Sequence, residues 1–377
     1  MEFGIFVQGH VPASLMEDDA DGTVEHRRIL NDVTVLEAAD RSNWKYCWAT
    51  EHHFLHEYSH LSANEVFLAY VAGRTRNIHV GSGIINITPP VNHPARVAER
   101  VALLDHLSDR RFEFGTGRGS STTEQGGFGI EDPDLTRDMF DEALPEIVRM
   151  WQTDDYSFDG RFFTMPSRNV LPKPNGRSHP PLWVAAGNPG TFEKAARMGL
   201  GVLCFAHGTP EKLAPLIEIY KKAIEDAEPV GDYVNDNIAC VSNMVCLEDG
   251  NAARDWATKM GGGRLQSLVF RYLDTFPKPE YVPDWPTVIP EPTLEQVQIA
   301  IDTGLAIVGT PEECVAGVQR YVDIGADQLI MSPSATTLPT EVAIEVTETF
   351  GKHVIPSFDT DPVHSTTRYR EAFEASL

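Results

Sequence analysis

Eight short apolar runs alternate with helical patterns along this chain of 377 residues, and the alternation limits the possible folds more than any other feature. Each run has the length of a buried strand, and the segment after it has the apolar spacing of a helix. Parallel strands need a crossover helix between them, so eight such units predict an α/β fold, a closed parallel (β/α)8 TIM barrel. The predicted strands span residues 2–8, 46–50, 78–85, 111–115, 181–186, 201–206, 238–247 and 327–332. The predicted helices span residues 25–42, 63–74, 94–108, 137–151, 190–199, 210–226, 250–260, 311–324 and 339–352.

Three segments interrupt this alternation. Residues 119–136 follow the fourth strand as a loop rich in Gly, Ser and Thr, and residues 152–180 contain a hairpin-like turn at Phe158–Phe162. Residues 261–305 follow the seventh strand as the longest irregular segment, in which prolines separate the aromatic residues Phe270, Tyr272, Phe276, Tyr281 and Trp285. This segment is either an ordered decoration or a lid over a site. Residues 1–377 are predicted to form one barrel domain, since barrels with insertions reach this length.

The formal net charge of −24 excludes nucleic acids and anionic membranes as partners, because both repel an acidic surface. The chain has neither a basic leader nor an apolar stretch of about 18 residues, which predicts no membrane span and a cytoplasmic location. The cysteines are odd in number, widely spaced and without a C-x-x-C pair, so we predict neither a disulfide framework nor a zinc ribbon. They are Cys47, Cys204, Cys240, Cys246 and Cys314.

The tetrapeptide Glu51–Phe54 places a carboxylate and two imidazoles directly after the second predicted strand. The C-terminal ends of barrel strands are where active sites form, and histidine titrates near neutral pH. Side chains alternate along a strand, so we expect at most one of His52 and His53 to face the barrel mouth. The alternative is that both are structural histidines held by hydrogen bonds in the core.

The segment His56–His60 matches H-E-x-x-H, the pattern that places two zinc ligands on one face of a helix. We expect no helix before about Ser62, and no third ligand follows at a suitable spacing. The sequence therefore predicts an enzyme without a metal site.

Residues 1 to about 210 resemble the bacterial luciferase-like flavin-dependent monooxygenases. The matching segments keep their order and spacing, although each alone is weak evidence. They are Met1–Phe6, Glu51–Phe54, Val80–Ile84, His93–Pro94, Leu103–Ser108, Arg111–Gly119, Leu182–Gly187 and Gly190–Thr191. Later segments at Val308–Glu313 and Gly325–Ile330 also fit the family.

The resemblance implies that His52 is the catalytic residue near the reactive ring-junction carbon of the flavin, with Glu51 close to the ring. It also implies a cis peptide bond between Gly83 and Ile84 beneath the flavin. By the same resemblance, luciferases share a cysteine at the position that Gly117 occupies in this chain. The absence of this cysteine argues against light emission from a long-chain aldehyde. We therefore expect a Baeyer–Villiger oxidation or a hydroxylation.

Two segments are candidates for the phosphate site of flavin mononucleotide (FMN). Arg118 follows a glycine-rich strand end where backbone can approach a ligand closely. The Ala185–Thr191 turn starts a helix, whose free N–H groups favour an anion. The resemblance assigns phosphate contacts to Arg118, Arg137 and this turn, and the expected contact residues in the turn are Ala185, Ala186, Gly187, Gly190 and Thr191. Alternatively, Arg118 pairs with an acid and the turn is an ordinary connection.

The resemblance implies a two-component enzyme. A separate NAD(P)H:flavin reductase supplies reduced FMN, dioxygen adds to it, and the peroxyflavin oxidises a small organic substrate that we expect to be apolar or cyclic. The predicted helix at 63–74 is apolar almost all round, so we expect a homodimer to cover it. Two alternatives remain open, namely a deazaflavin-dependent hydride-transfer enzyme of the same barrel family and a flavin-binding protein without catalysis.

Overall fold

The computed structural model describes residues 1–204, 208–275, 277–332 and 337–377. Its strands are β1 (Glu2–Val7), β2 (Tyr46–Ala49), β3 (His79–Ser82), β4 (Ile85–Asn86), β5 (Phe112–Gly117), β6 (Tyr156–Asp159), β7 (Thr164–Arg168), β8 (Leu182–Ala186), β9 (Gly201–Cys204), β10 (Ile238–Cys246), β11 (Ala306–Gly309) and β12 (Gln328–Met331). Its α-helices are α1 (Ala13–Glu17), α2 (Val24–Asp40), α3 (Asn64–Arg74), α4 (Pro94–Leu107), α5 (Thr122–Gly127), α6 (Leu135–Gln152), α7 (Pro189–Arg197), α8 (Pro210–Ala223), α9 (Gly250–Ala257), α10 (Gly262–Tyr272), α11 (Leu294–Asp302), α12 (Pro311–Asp323), α13 (Thr340–His353) and α14 (Ser365–Ser376). Two 3-10 helices span Ile224–Asp226 and Ile355–Ser357.

Eight parallel strands close into a barrel in the order β1, β2, β3, β5, β8, β9, β10 and β12, and β12 pairs with β1 again. Helices lie between successive barrel strands, so the predicted (β/α)8 TIM barrel is confirmed. The predicted hairpin also forms, because β6 and β7 pair in antiparallel fashion. None of the helices in the described ranges has the length and apolar character of a membrane span.

The structure corrects two sequence predictions. The strand predicted at 78–85 is divided into β3 and β4 by a cis peptide bond between Gly83 and Ile84. The segment 261–305 is not irregular, because it contains α10 and α11, whose periodicity is hard to read between closely spaced prolines. β11 follows at once and extends the edge of β10. Phe276 and positions 205 and 206 of the predicted sixth strand lie outside the described residues.

The barrel lumen is packed with large aromatic side chains opposite glycines. Trp48 is fully buried, and a Cβ atom on Gly81 would lie 2.5 Å from its ring. The ring of Trp183 meets that of Trp48 edge to face, with 5.1 Å between centroids. Glycine at this level therefore makes room for two indoles that fill the middle of the barrel.

The start of α14 closes the N-terminal end of the barrel, and the sequence analysis did not predict this helix. Ser365 Oγ donates to Glu2 Oε2 at 2.6 Å, and Thr366 Oγ1 donates to Glu113 Oε1 at 2.6 Å. His364 Nε2 donates to the carbonyl oxygen of Lys45 at 2.8 Å. The opposite end, where the C-termini of the strands meet, carries the residues singled out from the sequence.

Candidate active site

His52 is held by a carboxylate from the loop region after β5. Its Nδ1 atom lies 3.1 Å from Oε1 of Glu124, and the same oxygen accepts the backbone N–H of His53 at 2.7 Å. Because Glu124 Oε1 accepts the backbone N–H of His53, it is an acceptor toward the His52 ring as well. The imidazole proton of His52 therefore lies on Nδ1. Nε2 then carries the lone pair, and it has no hydrogen-bond partner among the described residues. This arrangement suits a general base or a proton carrier.

The expectation that His53 faces away from the mouth is wrong. β2 ends at Ala49, so strand alternation does not extend to the two histidines. His53 Nε2 lies 3.0 Å from Glu51 Oε1, and its ring meets Phe128 edge to face with 4.8 Å between centroids. Both imidazoles therefore contact the loop region that follows β5.

Glu51 lies at the centre of a buried polar network. Its Oε1 accepts from Asn92 Nδ2 at 3.1 Å, and its Oε2 accepts from the backbone N–H of Asn86 at 3.3 Å. Burial raises the pKa of Glu51, although its contact with His53 acts in the opposite direction. The network fixes the carboxyl group between the ends of β2 and β4.

The cis peptide bond between Gly83 and Ile84 forms a floor at the mouth, as the resemblance implied. Asn64 donates from Nδ2 to the carbonyl oxygens of Ala49 at 3.0 Å and Ile84 at 3.1 Å, which ties the floor to the end of β2. A Cβ atom on Gly117 would lie 2.7 Å from the Ile84 side chain, so a larger residue here would require Ile84 to shift.

Arg118 is not paired with an acid. Its Nη1 donates to Thr136 Oγ1 at 2.7 Å, and it forms no ion pair with any carboxylate in the described part of the chain. Burial lowers the pKa of Arg118, and the nearby Arg137 lowers it further. A half-buried guanidinium beside a second one, without a carboxylate partner, is suited to bind an anion.

The turn before α7 is exposed at Gly187 and Gly190, but part of it is already occupied. Asn188 Oδ1 accepts the backbone N–H of Thr191 at 3.1 Å, and Thr191 Oγ1 donates to the Asn188 carbonyl oxygen at 2.9 Å. This capping box satisfies Thr191 within the helix end. Ala185 is half-buried and Ala186 is buried at the end of β8.

An ion pair between Lys194 and Asp141 joins α7 to α6, the helix that carries Arg137. Arg137 on α6 and the Ala185–Thr191 turn at the start of α7 therefore belong to neighbouring helices. Arg118 reaches the first turn of the same helix α6 through Thr136.

Helix α10 covers one side of the mouth. Arg264 forms two hydrogen bonds with the buried carboxylate of Glu57, from Nε to Oε2 at 2.9 Å and from Nη2 to Oε1 at 2.8 Å. Beyond the helix, Thr275 Oγ1 donates to the Ser120 carbonyl oxygen at 2.9 Å and Asp274 Oδ1 accepts from Thr122 N–H at 2.9 Å. The predicted insertion at 261–305 thus contacts the loops after β2 and β5.

An apolar cluster lies between α10 and the loop after β2. Its buried members are Leu55, Tyr58, Leu268 and Tyr272, and its half-buried members are Leu265, Val269, Leu273 and Trp285. Tyr58 also meets the His52 ring edge to face, with 5.2 Å between centroids. The catalytic candidate is therefore bordered by an apolar wall.

The H-E-x-x-H segment does not form a zinc site in this geometry. Residues 51–60 contain no helix, Glu57 pairs with Arg264, and His60 Nδ1 lies 2.6 Å from Glu25 Oε1. Across the described ranges, no three His, Cys, Asp or Glu side chains come together as metal ligands.

Sequence reasoning missed Glu124, Asn64 and Asn92. Glu124 lies in a predicted insertion and 72 residues from His52, and no spacing rule connects the two. Asn64 begins a helix and resembles an ordinary cap in the sequence. Only the meeting of strand ends identifies these residues as part of the site.

The profile of the luciferase-like monooxygenase family matches residues 1–328. Limonene 1,2-monooxygenase from Rhodococcus erythropolis is 27% identical over 366 residues, which are 96% of this chain and 87% of that protein. The oxygenase component of a flavin-dependent trigonelline monooxygenase from Acinetobacter baylyi is 27% identical over 235 residues, 61% of each chain.

Solved structures share the fold over nearly the whole chain. A monooxygenase from Streptomyces bottropensis has a TM-score of 0.74 at 25% identity and covers 95% of this chain and 100% of its own. The FMN-bound oxygenating constituent of 3,6-diketocamphane monooxygenase from Pseudomonas putida has a TM-score of 0.73 at 16% identity, with 94% and 98% covered. A coenzyme F420 dependent reductase from Methanopyrus kandleri has a TM-score of 0.64 at 17% identity, with 95% and 99% covered.

Proposed function

The chain belongs to the luciferase-like monooxygenase family, and from this premise we propose that it is the oxygenase of a two-component flavin system. In this proposal it uses reduced FMN and dioxygen to oxidise a small apolar or cyclic organic substrate. The observation that carries the proposal is the His52–Glu124 pair at the mouth, beside the Gly83–Ile84 floor and within a barrel of this family.

The residues present fit a flavin. Gly117 and Ile84 touch so closely that a Cβ atom on the glycine would clash, and the resulting floor is free of a bulky side chain from β5. Arg118 and Arg137 supply positive charge without a carboxylate partner, which fits the phosphate of FMN. The exposed amides near Gly187 and Gly190 would add contacts, whereas the Thr191 amide is already bound to Asn188.

When bound, reduced FMN supplies the electrons that activate dioxygen, and the protein supplies binding, orientation and exclusion of water. His52 would move a proton through Nε2 while Glu124 holds Nδ1–H, so that the ring keeps one orientation through the reaction. Glu51 would lie beside the ring, fixed by His53 and Asn92. α10 would shield the site from water.

The apolar wall around Tyr58 and Leu268 supports an apolar substrate, because it offers few polar groups to compensate a charged one. The relatives named for limonene and diketocamphane are consistent with a cyclic substrate. We propose a Baeyer–Villiger oxidation or a hydroxylation of such a compound, in the cytoplasm. Reduced FMN would come from a separate NAD(P)H:flavin reductase, a division of labour consistent with the relative named an oxygenase component.

We also propose a homodimer through α3 and α4. Val66 is 68% exposed and Tyr70 50% exposed on α3, and Leu103 and Leu107 are 49% and 58% exposed on α4. A contiguous apolar surface of this kind is typical of an interface. Phe67, in contrast, faces the core.

A deazaflavin-dependent hydride-transfer enzyme is the second candidate, favoured by the F420-dependent fold neighbour. Absorbance spectra of the protein reconstituted with each cofactor would distinguish the two. A flavin-binding protein without catalysis would not need the buried Glu124 that orients His52.

Replacement of His52 by alanine tests the proposal. We expect FMN binding, measured by flavin fluorescence, to change little, whereas substrate oxidation should fall about 10²- to 10⁴-fold. Uncoupled hydrogen peroxide should rise. His56→Ala, an exposed change in the same loop, is the control and should leave both quantities unchanged. Full coupled turnover by the His52→Ala variant, or loss of wild-type activity with a zinc chelator, would contradict the assignment.

A further inference from the structure

Three aromatic side chains in the barrel lumen form a branched stack, in which Trp48 contacts the other two. Tyr46 and Trp48 stack with 6.1 Å between centroids and an interplanar angle of 13°. Trp183 meets Trp48 edge to face at 5.1 Å. All three are among the largest fully buried side chains of the protein.

The upper end of this stack reaches the mouth. Trp48 belongs to a lumen cluster that also contains Phe6 and, at its half-buried edge, Ile84. A Cβ atom on Gly83 would lie 3.3 Å from the Cβ atom of Trp48. Trp48 therefore packs directly below the Gly83–Ile84 floor, where the proposed function places oxygen chemistry.

Tyr46 and Trp183 each donate a hydrogen bond to a glutamate, and burial raises the pKa of the second of these, Glu113, to about 8. Tyr46 Oη donates to Glu2 Oε2 at 2.8 Å, and Trp183 Nε1 donates to Glu113 Oε2 at 2.7 Å. Trp48 Nε1 instead donates to the amide oxygen of Gln328 at 2.8 Å. A carboxylate can accept the proton that an oxidised ring releases, whereas an amide oxygen is a poor base, so an oxidised Trp48 would remain a strong oxidant of its neighbours.

The lower end of the stack lies beside a cavity of about 350 Å³ at the N-terminal end of the barrel, whose lining includes His79, Asp109, Thr366 and Glu371. Tyr46 meets the ring of His79 edge to face at 5.7 Å, and its Oη lies 3.4 Å from Thr366 Oγ1. Asp109 and Glu371 are exposed, so the cavity opens toward solvent. A small reductant in it would be one residue away from Tyr46.

We propose that Trp48, Trp183 and Tyr46 form a relay that carries one-electron oxidising equivalents from the mouth to the cavity at the opposite end of the barrel. Packing alone would not require this set, because barrel interiors are usually filled by branched aliphatic residues. The relay would protect His52 and Tyr58 when an oxidant formed from dioxygen does not react with the substrate. Only this source of the oxidant depends on the proposed function.

The electrons and protons balance. A one-electron oxidant derived from partly reduced dioxygen takes one electron from Trp48 or from the adjacent Trp183, and Trp48 regains an electron from Tyr46, which it contacts directly. Tyr46 then releases its phenolic proton to the Glu2 carboxylate. A thiol or an enediol reductant in the cavity returns one electron to Tyr46, and Glu2 returns the proton. The oxidant is reduced, the external reductant is oxidised, and the protein is unchanged.

A tethered photo-oxidant tests the relay without any flavin. All five cysteines are buried, so a ruthenium polypyridyl label would attach selectively to a thiol introduced by Phe54→Cys, a 61% exposed position at the mouth. After a flash with an external quencher, we expect a tyrosyl radical by transient absorption and electron paramagnetic resonance. Tyr46→Phe in this background should abolish the tyrosyl signal and leave a tryptophan radical, while keeping the ring packing.

Three controls make the result specific. Tyr58→Phe removes a competing tyrosine at the mouth, and Trp256→Phe removes a tryptophan on α9 outside the lumen; both should keep the Tyr46 signal. Trp48→Phe should slow its formation. Ascorbate should shorten the lifetime of the radical. A signal that survives Tyr46→Phe, or no tyrosyl radical in the labelled parent protein, would overturn the relay, whatever the outcome of the FMN experiments.

Discussion

Oε1 of Glu124 contacts both His52 Nδ1, at 3.1 Å, and the backbone N–H of His53, at 2.7 Å. One carboxylate oxygen thus fixes the ring and the backbone of adjacent residues. The loop after β2 and the helix α5 after β5 are joined through it. Its position determines which nitrogen of His52 faces the mouth.

Replacement of Glu124 by glutamine should impair catalysis without removing the imidazole. An amide keeps the size of the side chain and an oxygen that can still accept the His53 N–H, but it removes the negative charge that stabilises the His52 ring when the ring takes up a proton. We expect substrate oxidation to fall at least about 10-fold, while FMN affinity stays within about twofold. Glu131→Gln, an exposed change in the same segment, should have no effect. Equal turnover in the two variants would show that Glu124 only supports the loop.

Arg118→Ala should weaken FMN binding by about 1.5–3 kcal/mol, because a charge-assisted contact to phosphate is lost. Riboflavin, which has no phosphate, should bind the variant and the wild type equally well. Arg161→Ala is the matched control, since Arg161 is exposed and paired with Asp138. Flavin fluorescence titration measures all four affinities. If wild-type protein bound riboflavin as tightly as FMN, the phosphate site would lie elsewhere or not exist.

Arg264→Ala should loosen α10 over the mouth. The change leaves the buried carboxylate of Glu57 without its main partner, at a cost of about 1–3 kcal/mol. We expect faster proteolysis within the 261–275 segment and a larger share of uncoupled hydrogen peroxide. Lys278→Ala, which breaks an exposed ion pair with Asp284 in the same insertion, provides the comparison. Unchanged coupling in the Arg264→Ala variant would argue that α10 is a fixed decoration.

Stability should decrease as the pH falls below the ordinary histidine range. Burial and the neighbouring His79 lower the pKa of His364 to about 3, and burial lowers that of His79 to about 3. The unfolded chain protonates both near pH 6.5, so the native state loses stability as pH falls from about 6.5 toward 3. Each group contributes up to about 2 kcal/mol of this loss between pH 7 and 5.

His364→Gln removes one of the two titrations and keeps a donor for the Lys45 carbonyl. The difference in unfolding free energy between pH 7 and 5, from urea titrations, should shrink by about 1–2 kcal/mol. His106→Gln, at a surface histidine, should keep the wild-type difference. An unchanged pH dependence in His364→Gln would mean that His364 does not titrate as its burial indicates.

Tyr70→Glu should yield monomer or aggregate, because it places a charge in the proposed apolar interface. Sedimentation or light scattering at micromolar concentration measures the outcome. Leu294→Glu, at another exposed apolar side chain on α11, should keep the oligomeric state of the wild type. A monomeric wild type would remove the homodimer proposal.

The barrel could be read from the sequence because strand and helix periodicities are local. The apolar runs of the eight barrel strands each predict a strand without knowledge of the rest, and the resemblance added the Gly83–Ile84 cis bond and the expectation that His52 is catalytic. Local sequence patterns did not predict those elements whose position depends on contacts between residues far apart in the chain. α10 and α11 lie on either side of a proline-rich stretch, and the sequence pattern predicts an irregular structure for the whole segment, whereas α14 is positioned by Glu2 and Glu113 at the far end of the barrel.

The sequence by itself determined the fold class, the family and the position of the histidine pair, because these follow from short-range order. Only the tertiary structure decided what the pair contacts. It joined Glu124 to His52 across 72 residues, turned both imidazoles toward the loop region after β5, and bound Arg118 to Thr136 without an ion pair to any acid among the described residues. Strand ends that are remote in the chain converge at one mouth, and hydrogen bonds between them depend on positions in space that spacing along the sequence does not encode.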